Sequence, residues 1–389
     1  MIYLDNAATT PVAPEVFEVM QPYLTERYGN PGSLHSPGRA ARKAVENARA
    51  QVADLIGAQP GQVVFTSGGS EANSLALLGV LPELMRRGRL GVLSDRMEHD
   101  SVLCAIRAMQ ERCGGLSVGY AGVTPVDARG VSLTDLARRI SERTGLVSVM
   151  YVNNETGAIN PVNMIGELCR RYGALFHTDC VQAAGMRPIC APRIGCDFLS
   201  ISSHKLHGPQ GVGALYVRDA ALISPLICGG AAQEFGLRGG TENVAGIVGF
   251  GAACAIASRY RAEHESICTV HKHRFYSALR AELEKLGSGL TPEINGPPIS
   301  APGRILNLRF DGVDAETLVL LADANGLCIS AGSACRSHEQ EANRTLLAMG
   351  LTPEQARCSV RISFSAQDQD ETVREAARIL ARCVLELRR

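Results

Sequence analysis

Short apolar runs alternate with helical patterns along the first two-thirds of the chain, and this alternation narrows the possible folds more than any single residue does. The runs fall at 63–65, 91–93, 146–152, 174–176, 198–201 and 213–217. Runs that are apolar throughout suit strands buried on both faces, and the helices between them supply the cover. The expected architecture is therefore α/β, a mainly parallel sheet with helices on both sides. In open sheets of this kind ligands sit beyond the carboxyl ends of the strands. At 389 residues the chain is too long for one ordinary core. A long helical stretch, about 243–286 and broken near Glu263, leads through the Gly/Pro-rich 295–303 into a second pattern. There a strand is expected at 304–310, a helix at 315–325, a strand at 359–365 and a helix at 370–387. We expect a large α/β domain over 15–260 and a smaller α+β domain formed by 1–14 plus 261–389.

Charge excludes several classes of partner. With 39 basic and 39 acidic residues there is no electrostatic case for nucleic acid or anionic membrane. The stretch Arg86-Arg87-Gly88-Arg89 reads as a solvated helix end. No window approaches the ~18 uninterrupted apolar residues of a membrane span. The opening Met-Ile-Tyr-Leu-Asp-Asn-Ala-Ala lacks a basic segment followed by an apolar one, so a soluble, unexported, cytoplasmic protein is expected. Thirteen cysteines without Cys-x-x-Cys spacing argue against a disulfide framework and against a metal site.

The residues that follow the apolar runs carry chemistry. His177-Thr178-Asp179-Cys180-Val181-Gln182 and Ser202-Ser203-His204-Lys205 each close a run. Together they offer a Schiff-base lysine, Lys205, and a carboxylate, Asp179, that would keep a pyridine nitrogen protonated, as pyridoxal phosphate requires. Thr66-Ser67-Gly68-Gly69-Ser70-Glu71-Ala72-Asn73 opens a helix. Alone this is a plain N-cap; beside Lys205 and Asp179 it reads as a phosphate cradle, with Gly69, Ser70, Ser202 and His204 contributing. His99 follows another run, where an imidazole would cover a ring and shuttle protons. Asn154 suits either the cofactor's phenolic oxygen or a substrate carboxylate, and Gln182 suits the former. Cys104, Cys113, Cys169, Cys254, Cys268 and Cys383 lie in helical patterns and fit buried, inert thiols. Cys335, in Ser330-Ala331-Gly332-Ser333-Ala334-Cys335-Arg336, sits instead among small residues, which suggests a reactive thiol on a mobile loop. Arg361 alternates with apolar residues along a strand and would clamp a carboxylate with two parallel hydrogen bonds.

The ordered set of motifs resembles the cysteine desulfurases of the nitrogen-fixation and iron–sulfur-cluster type, which are pyridoxal phosphate enzymes of fold type I with a mainly parallel seven-stranded sheet. The likeness runs almost end to end: Tyr3-Leu4-Asp5-Asn6-Ala7-Ala8, Thr66-Ser67-Gly68, Glu98-His99, Asn153-Asn154-Glu155-Thr156-Gly157, Ser203-His204-Lys205, Arg238-Gly239-Gly240-Thr241-Glu242-Asn243, Gly332-Ser333-Ala334-Cys335 and Val360-Arg361-Ile362-Ser363. The resemblance implies Lys205 as the aldimine lysine, Asp179 as pyridinium partner and Gln182 as phenolic-oxygen contact. It implies His99 as stacking acid/base, and Ser70, Ser202 and His204 as phosphate ligands. Thr241 would reach the phosphate of the neighbouring subunit, implying a homodimer. Asn154 and Arg361 would hold the carboxylate of L-cysteine, and Cys335 would take the sulfur as a persulfide. An acceptor protein would then collect it for iron–sulfur clusters, thio-tRNA or DNA phosphorothioate.

Three details depart from the family's usual pattern: Arg336 where a threonine is common, Ala231-Ala232 where glycines are, and an end at Arg389 without the longer tail of housekeeping members. A selenocysteine lyase or aminotransferase is the nearest other enzyme, and an aminotransferase needs no thiol at 335. A non-catalytic subunit of a sulfur-transfer complex would predict a lost lysine, aspartate or loop cysteine, and all three are present.

Overall fold

The computed structural model describes residues 1–122, 130–230, 233–332 and 343–388. Its strands in chain order are β1 (Ile2–Tyr3), β2 (Val63–Thr66), β3 (Gly91–Asp95), β4 (Ser117–Ala121), β5 (Thr144–Ser148), β6 (Leu175–Asp179), β7 (Phe198–Ser202), β8 (Gly213–Val217), β9 (Glu293–Ile294), β10 (Ile305–Arg309), β11 (Leu327–Cys328) and β12 (Ser359–Ser363). The seven-stranded sheet has the order β2-β8-β7-β6-β5-β3-β4. It is parallel from β7 through to β4, while β8 runs antiparallel to both β7 and β2. The strand β4 was not expected. Its sequence, Ser-Val-Gly-Tyr-Ala, is mostly half-exposed, so it carries no unbroken apolar signal.

Successive residues of the central strands feed opposite cores. Val63, Leu93, Val147, Phe176, Leu199, Ile201 and Tyr216 join one buried cluster, with the helix Ser36–Ile56 contributing Val45, Val52 and Ile56. Val64, Val92, Leu146, Leu175, Phe198 and Leu215 join another, with Leu75 and Leu77 of the helix Gly69–Gly79 and Ile106 of the helix Asp100–Arg112. Burial on both faces is the reason the strands read as continuous apolar runs.

A third core gathers Leu306 and Leu308 of β10, Val360 and Ile362 of β12, and Leu380 and Val384 of the helix Asp370–Leu387. Leu4, from the first residues of the chain, belongs to it as well. β10 pairs antiparallel with β12 and with β9, while β1 pairs parallel with β11. The helix Val244–Lys285 runs unbroken for 42 residues, which corrects the expected interruption near Glu263. Its early residues Ile247, Phe250 and Cys254 enter the first core, and its later residues Phe275, Leu279 and Leu283 enter the third. The intervening stretch, Ser-Arg-Tyr-Arg-Ala-Glu-His-Glu-Ser at 258–266, loses its apolar period because it crosses between cores. It contains good helix formers and neither Gly nor Pro, so the backbone continues.

Candidate active site

Asp179 is the last residue of β6 and Ser202 the last of β7, so both stand at the carboxyl edge of the sheet. One 3₁₀ turn, Ser203–Lys205, then carries Lys205 over the same edge. They border a cavity of about 270 Å³ that is also lined by Gly69, Ser70, His99, Asn154, Gln182, His204 and Arg361. Thr241 is exposed and does not line it. Cys335 and Arg336, like Ala231 and Ala232, lie outside the described residues.

The Asp179 carboxylate is oriented from two sides. Its Oδ1 accepts from the Val181 N–H at 2.8 Å and its Oδ2 accepts from Asn73 Nδ2 at 2.7 Å. Asn73 Nδ2 also donates to Ser101 Oγ at 2.9 Å, which ties the helix Gly69–Gly79 to the start of the helix that follows His99. A positioned carboxylate facing the cavity is what a protonated pyridine nitrogen needs.

Beside it the turn 66–69 delivers the N-terminus of the helix Gly69–Gly79, where first-turn N–H groups have no intrahelical partner. Close approach requires the glycines. A Cβ on Gly69 would lie 2.8 Å from Val181 Cγ2, and one on Gly213 would lie 2.7 Å from the Gly68 carbonyl carbon. Ser202 Oγ is buried in the same place with no hydrogen-bond partner among the described residues. A buried hydroxyl without a partner is costly unless a ligand completes it. The free N–H groups, this hydroxyl and the Lys205/Asp179 pair together fit a pyridine ring bearing a phosphate.

Lys205 Nζ donates to the carbonyl oxygens of Ala7 and Ala8, each at 2.6 Å. Burial, then the nearby Arg304 and Arg361 charges, push its pKa down to about 7, against an opposing pull from Asp5 and Asp179. A substantial share of the amine is thus neutral, and nucleophilic, at physiological pH. His204 is pushed down to about 4 by burial and then by Lys205 and Arg304, so its ring is neutral, with Nδ1 3.1 Å from Thr9 Oγ1. His99 caps the helix Asp100–Arg112, and its Nδ1 accepts from the Ser101 N–H at 3.1 Å. An Nδ1 that accepts is unprotonated, which leaves Nε2 as the ring nitrogen able to carry a proton.

Arg361, on β12, is only 3 % exposed. Its Nη1 donates to Asn154 O at 3.1 Å and Glu155 Oε1 at 3.0 Å, and its Nη2 donates to Asp5 Oδ1 at 3.0 Å. Burial disfavours the charge, but Glu155 and Asp5 outweigh it and raise the Arg361 pKa. Asn154 Nδ2 is itself engaged, donating to Glu155 Oε1 at 2.7 Å. On either side of the segment that contains Cys335, Ser330 pairs through its backbone with Arg361, and Asn343 Nδ2 donates to Glu155 Oε2 at 3.0 Å.

Sequence reasoning passed over Asn73, Glu155, Asp5 and the carbonyls of Ala7 and Ala8. All were in quoted motifs, but a role that depends on a partner more than 100 residues away has no local signature. It also passed over Arg304, which read as the first residue of a strand. Cys104 was expected to be buried and is exposed, because it faces outward on the helix Asp100–Arg112.

The sheet order and this lysine–aspartate pair define a fold-type I pyridoxal phosphate enzyme of the class-V aminotransferase kind, the family whose description matches residues 2–375. Within that class the chain belongs to the cysteine desulfurases. It is 43 % identical over 398 residues to a cysteine desulfurase of Frankia sp. (strain EuIK1), covering 100 % of this chain and 92 % of that one. Among solved structures, a NifS-like protein superposes with a TM-score of 0.87 at 33 % identity, covering 99 % of this chain and 100 % of the other. The protein described as SspA in complex with cysteine superposes with a TM-score of 0.77 at 32 % identity, covering 94 % and 99 %. The cofactor is accordingly pyridoxal phosphate and the activity that of a cysteine desulfurase.

Proposed function

We propose that Lys205, Asp179, His99, Arg361 and Cys335 divide the work of converting L-cysteine to L-alanine, with the sulfur retained on Cys335. The observation that carries this reading is the convergence of Lys205, Asp179 and Arg361 on one cavity. Lys205, Asp179, Gln182, His99, Gly69, Ser70, Ser202 and His204 hold pyridoxal phosphate, which supplies an electron sink for the pair left at the substrate α-carbon. Arg361, with Asn154, receives the substrate carboxylate. Lys205, depressed to about 7, moves the α-proton between neutral and charged forms near physiological pH. His99 presents Nε2–H to the same space and serves as the second proton carrier.

The Cys335 thiolate then attacks the substrate sulfur: an S–S bond forms, the C–S bond breaks, and its electron pair returns to the carbon skeleton, which is protonated to alanine. An acceptor protein thiol takes the sulfur from the resulting persulfide for iron–sulfur cluster, thio-tRNA or DNA phosphorothioate synthesis. The enzyme works as a homodimer in which Thr241 reaches the neighbouring subunit's phosphate, a reading supported by its exposure and by its not lining its own chain's cavity. Residues 15–260 and 1–14 plus 261–389 act as its two domains, supported by cores that each draw on one range apart from Ala13 and Met186.

The test is mass spectrometry of the Cys335 peptide under non-reducing conditions after exposure to L-cysteine. One added sulfur, absent in Lys205→Ala, is the expected result. A cofactor-loaded protein that forms alanine with no sulfur on Cys335 would overturn the assignment.

A further inference from the structure

Behind the lysine lies a cation that the chemistry above does not use. Arg304 is 6 % exposed, and among the described residues no carboxylate pairs with it. Its Nη2 donates to Gln182 Oε1 at 2.8 Å, its Nη1 donates to the Lys205 carbonyl oxygen at 3.1 Å, and its Nε is buried without a partner. A buried, uncompensated guanidinium is costly, and such groups in native cores are ordinarily ion-paired. Stability alone does not account for it here.

The geometry points to Arg304 as a positioning residue for the cofactor ring: it fixes the Gln182 amide with its N–H face, not its oxygen, toward the cavity, and it places an unneutralised positive charge behind Lys205. This rests on the reading that Gln182 meets the phenolic oxygen. An isolated Gln amide can present either its oxygen or its nitrogen. A guanidinium only donates, so Oε1 must face Arg304 and Nε2 must face outward, where it now donates to Ala7 O at 2.8 Å. That carbonyl also accepts from Lys205 Nζ, so the amide donor and the lysine nitrogen already share one point in space. An oxygen of partial negative charge beside the lysine-bound carbon would meet the donor face and never the acceptor face.

The charge acts in the same direction. Arg304 lowers the proton affinity of Lys205, His204 and His207 together. Lys205 is faced by Arg361 from β12 as a second cation, by Asp179 from β6 and Asp5 from the N-terminal segment as opposing anions, and by neutral His204 on its own turn. Removing Arg304 therefore leaves the two anions facing one cation.

The experiment is a spectrophotometric pH titration of the bound cofactor's visible band, in substrate-free holoenzyme, for wild type, Arg304→Gln, Arg304→Met and Gln182→Met. Both Arg304 variants are expected to move the midpoint upward by about one pH unit, since a like charge has been removed. Arg304→Gln should change the apoenzyme's melting temperature little, because no ion pair is lost, whereas Arg304→Met also strands the Gln182 and Lys205 acceptors and should lower it. Should Arg304→Met not fold, Arg304→Gln, which keeps hydrogen-bonding capacity, decides alone. Gln182→Met is expected to shift the same band, and the double variant Arg304→Gln/Gln182→Met to shift it by less than the sum. An unchanged midpoint in the Arg304 variants, with Gln182→Met shifted, overturns the role of Arg304 and leaves the Gln182 contact standing. An unchanged band in Gln182→Met removes the contact itself and the inference with it.

Discussion

The pair Arg49–Glu234 offers the sharpest quantitative test of what holds the loop after residue 232 against the sheet. Arg49 grips the Glu234 carboxylate with two parallel bonds, Nη1 to Oε2 and Nη2 to Oε1, each 2.8 Å, and both side chains are almost fully buried. Glu234 Oε2 also accepts from the Phe65 N–H of β2 at 2.6 Å, and Arg49 Nη1 donates to Val63 O at 2.8 Å. The guanidinium lies between the rings of Phe65 and Phe235, 4.7 and 5.0 Å from their centroids. Glu234 and Phe235 adopt φ of 40° and 59°, a left-handed backbone that non-glycine residues hold at a cost of ~1–3 kcal/mol each unless the surroundings impose it.

Arg49→Met strands a buried carboxylate with one N–H donor, and the expected loss is about 3–5 kcal/mol. Glu234→Gln keeps an acceptor for Phe65 but turns an amide N–H₂ toward guanidinium donors, at a cost on the order of 2–3 kcal/mol. In the double variant neither charge is left, so its loss should fall short of the sum by about 2–3 kcal/mol. Urea unfolding of the four proteins, compared at a common slope, measures this. Strict additivity, or an Arg49→Met loss below about 1 kcal/mol, would refute the claim that the pair is coupled and buried. Loss of the pair should also loosen the loop that carries Arg238, which bonds Glu71 at 2.9 Å while Glu71 in turn accepts from the Ser67 N–H of the turn 66–69.

Other outcomes follow from the same geometry. Asn73→Leu removes one of the two donors that orient Asp179, and cofactor affinity and kcat should each fall about tenfold or more, measured by equilibrium loading and steady-state rates. Arg361→Gln should raise KM for L-cysteine by about 10–100-fold with a smaller effect on kcat; an unchanged KM would place the carboxylate elsewhere. Lys205 is lowered from 10.5 to about 7, so uptake of pyridoxal phosphate by the apoenzyme should accelerate as pH rises through a midpoint near 7, whereas a midpoint near 10 would contradict the burial argument. The sign for stability is the reverse of the common lysine case. Between those two values the unfolded chain retains a proton that the folded chain has released, so the penalty is full below pH 7 and fades as pH approaches 10.5.

The parallel sheet was legible because burial on both faces leaves a simple mark, the unbroken apolar run, and Asp179 and Lys205 were legible because they end such runs. β4 was not, since an edge strand covered on one side has no such mark. The continuous helix through Glu263 was misread for a related reason: hydrophobic period reports what a helix faces, and a helix that leaves one core for another loses the period without losing its hydrogen bonds. Arg304 was invisible for want of any local pattern. Its meaning comes from Gln182 and Lys205, 122 and 99 positions away, and only tertiary structure brings them together.

The first residues of the chain have a consequence for biosynthesis. Leu4 O accepts from the Ser363 N–H at 2.7 Å, Asn6 Nδ2 donates to Ser363 O at 3.0 Å, and the carbonyls of Ala7 and Ala8 accept from Lys205 Nζ. Asn6 is thus tied down by a strand residue that lies 357 positions later in the chain. The sheet that carries Asp179 at its edge has every strand it needs by residue 217, yet the wall around Lys205 closes only once β12 has followed. A chain that has made the seven-stranded sheet but not β12 therefore holds Asp179 and Lys205 at the sheet edge with the N-terminal segment beside them still untethered by that strand.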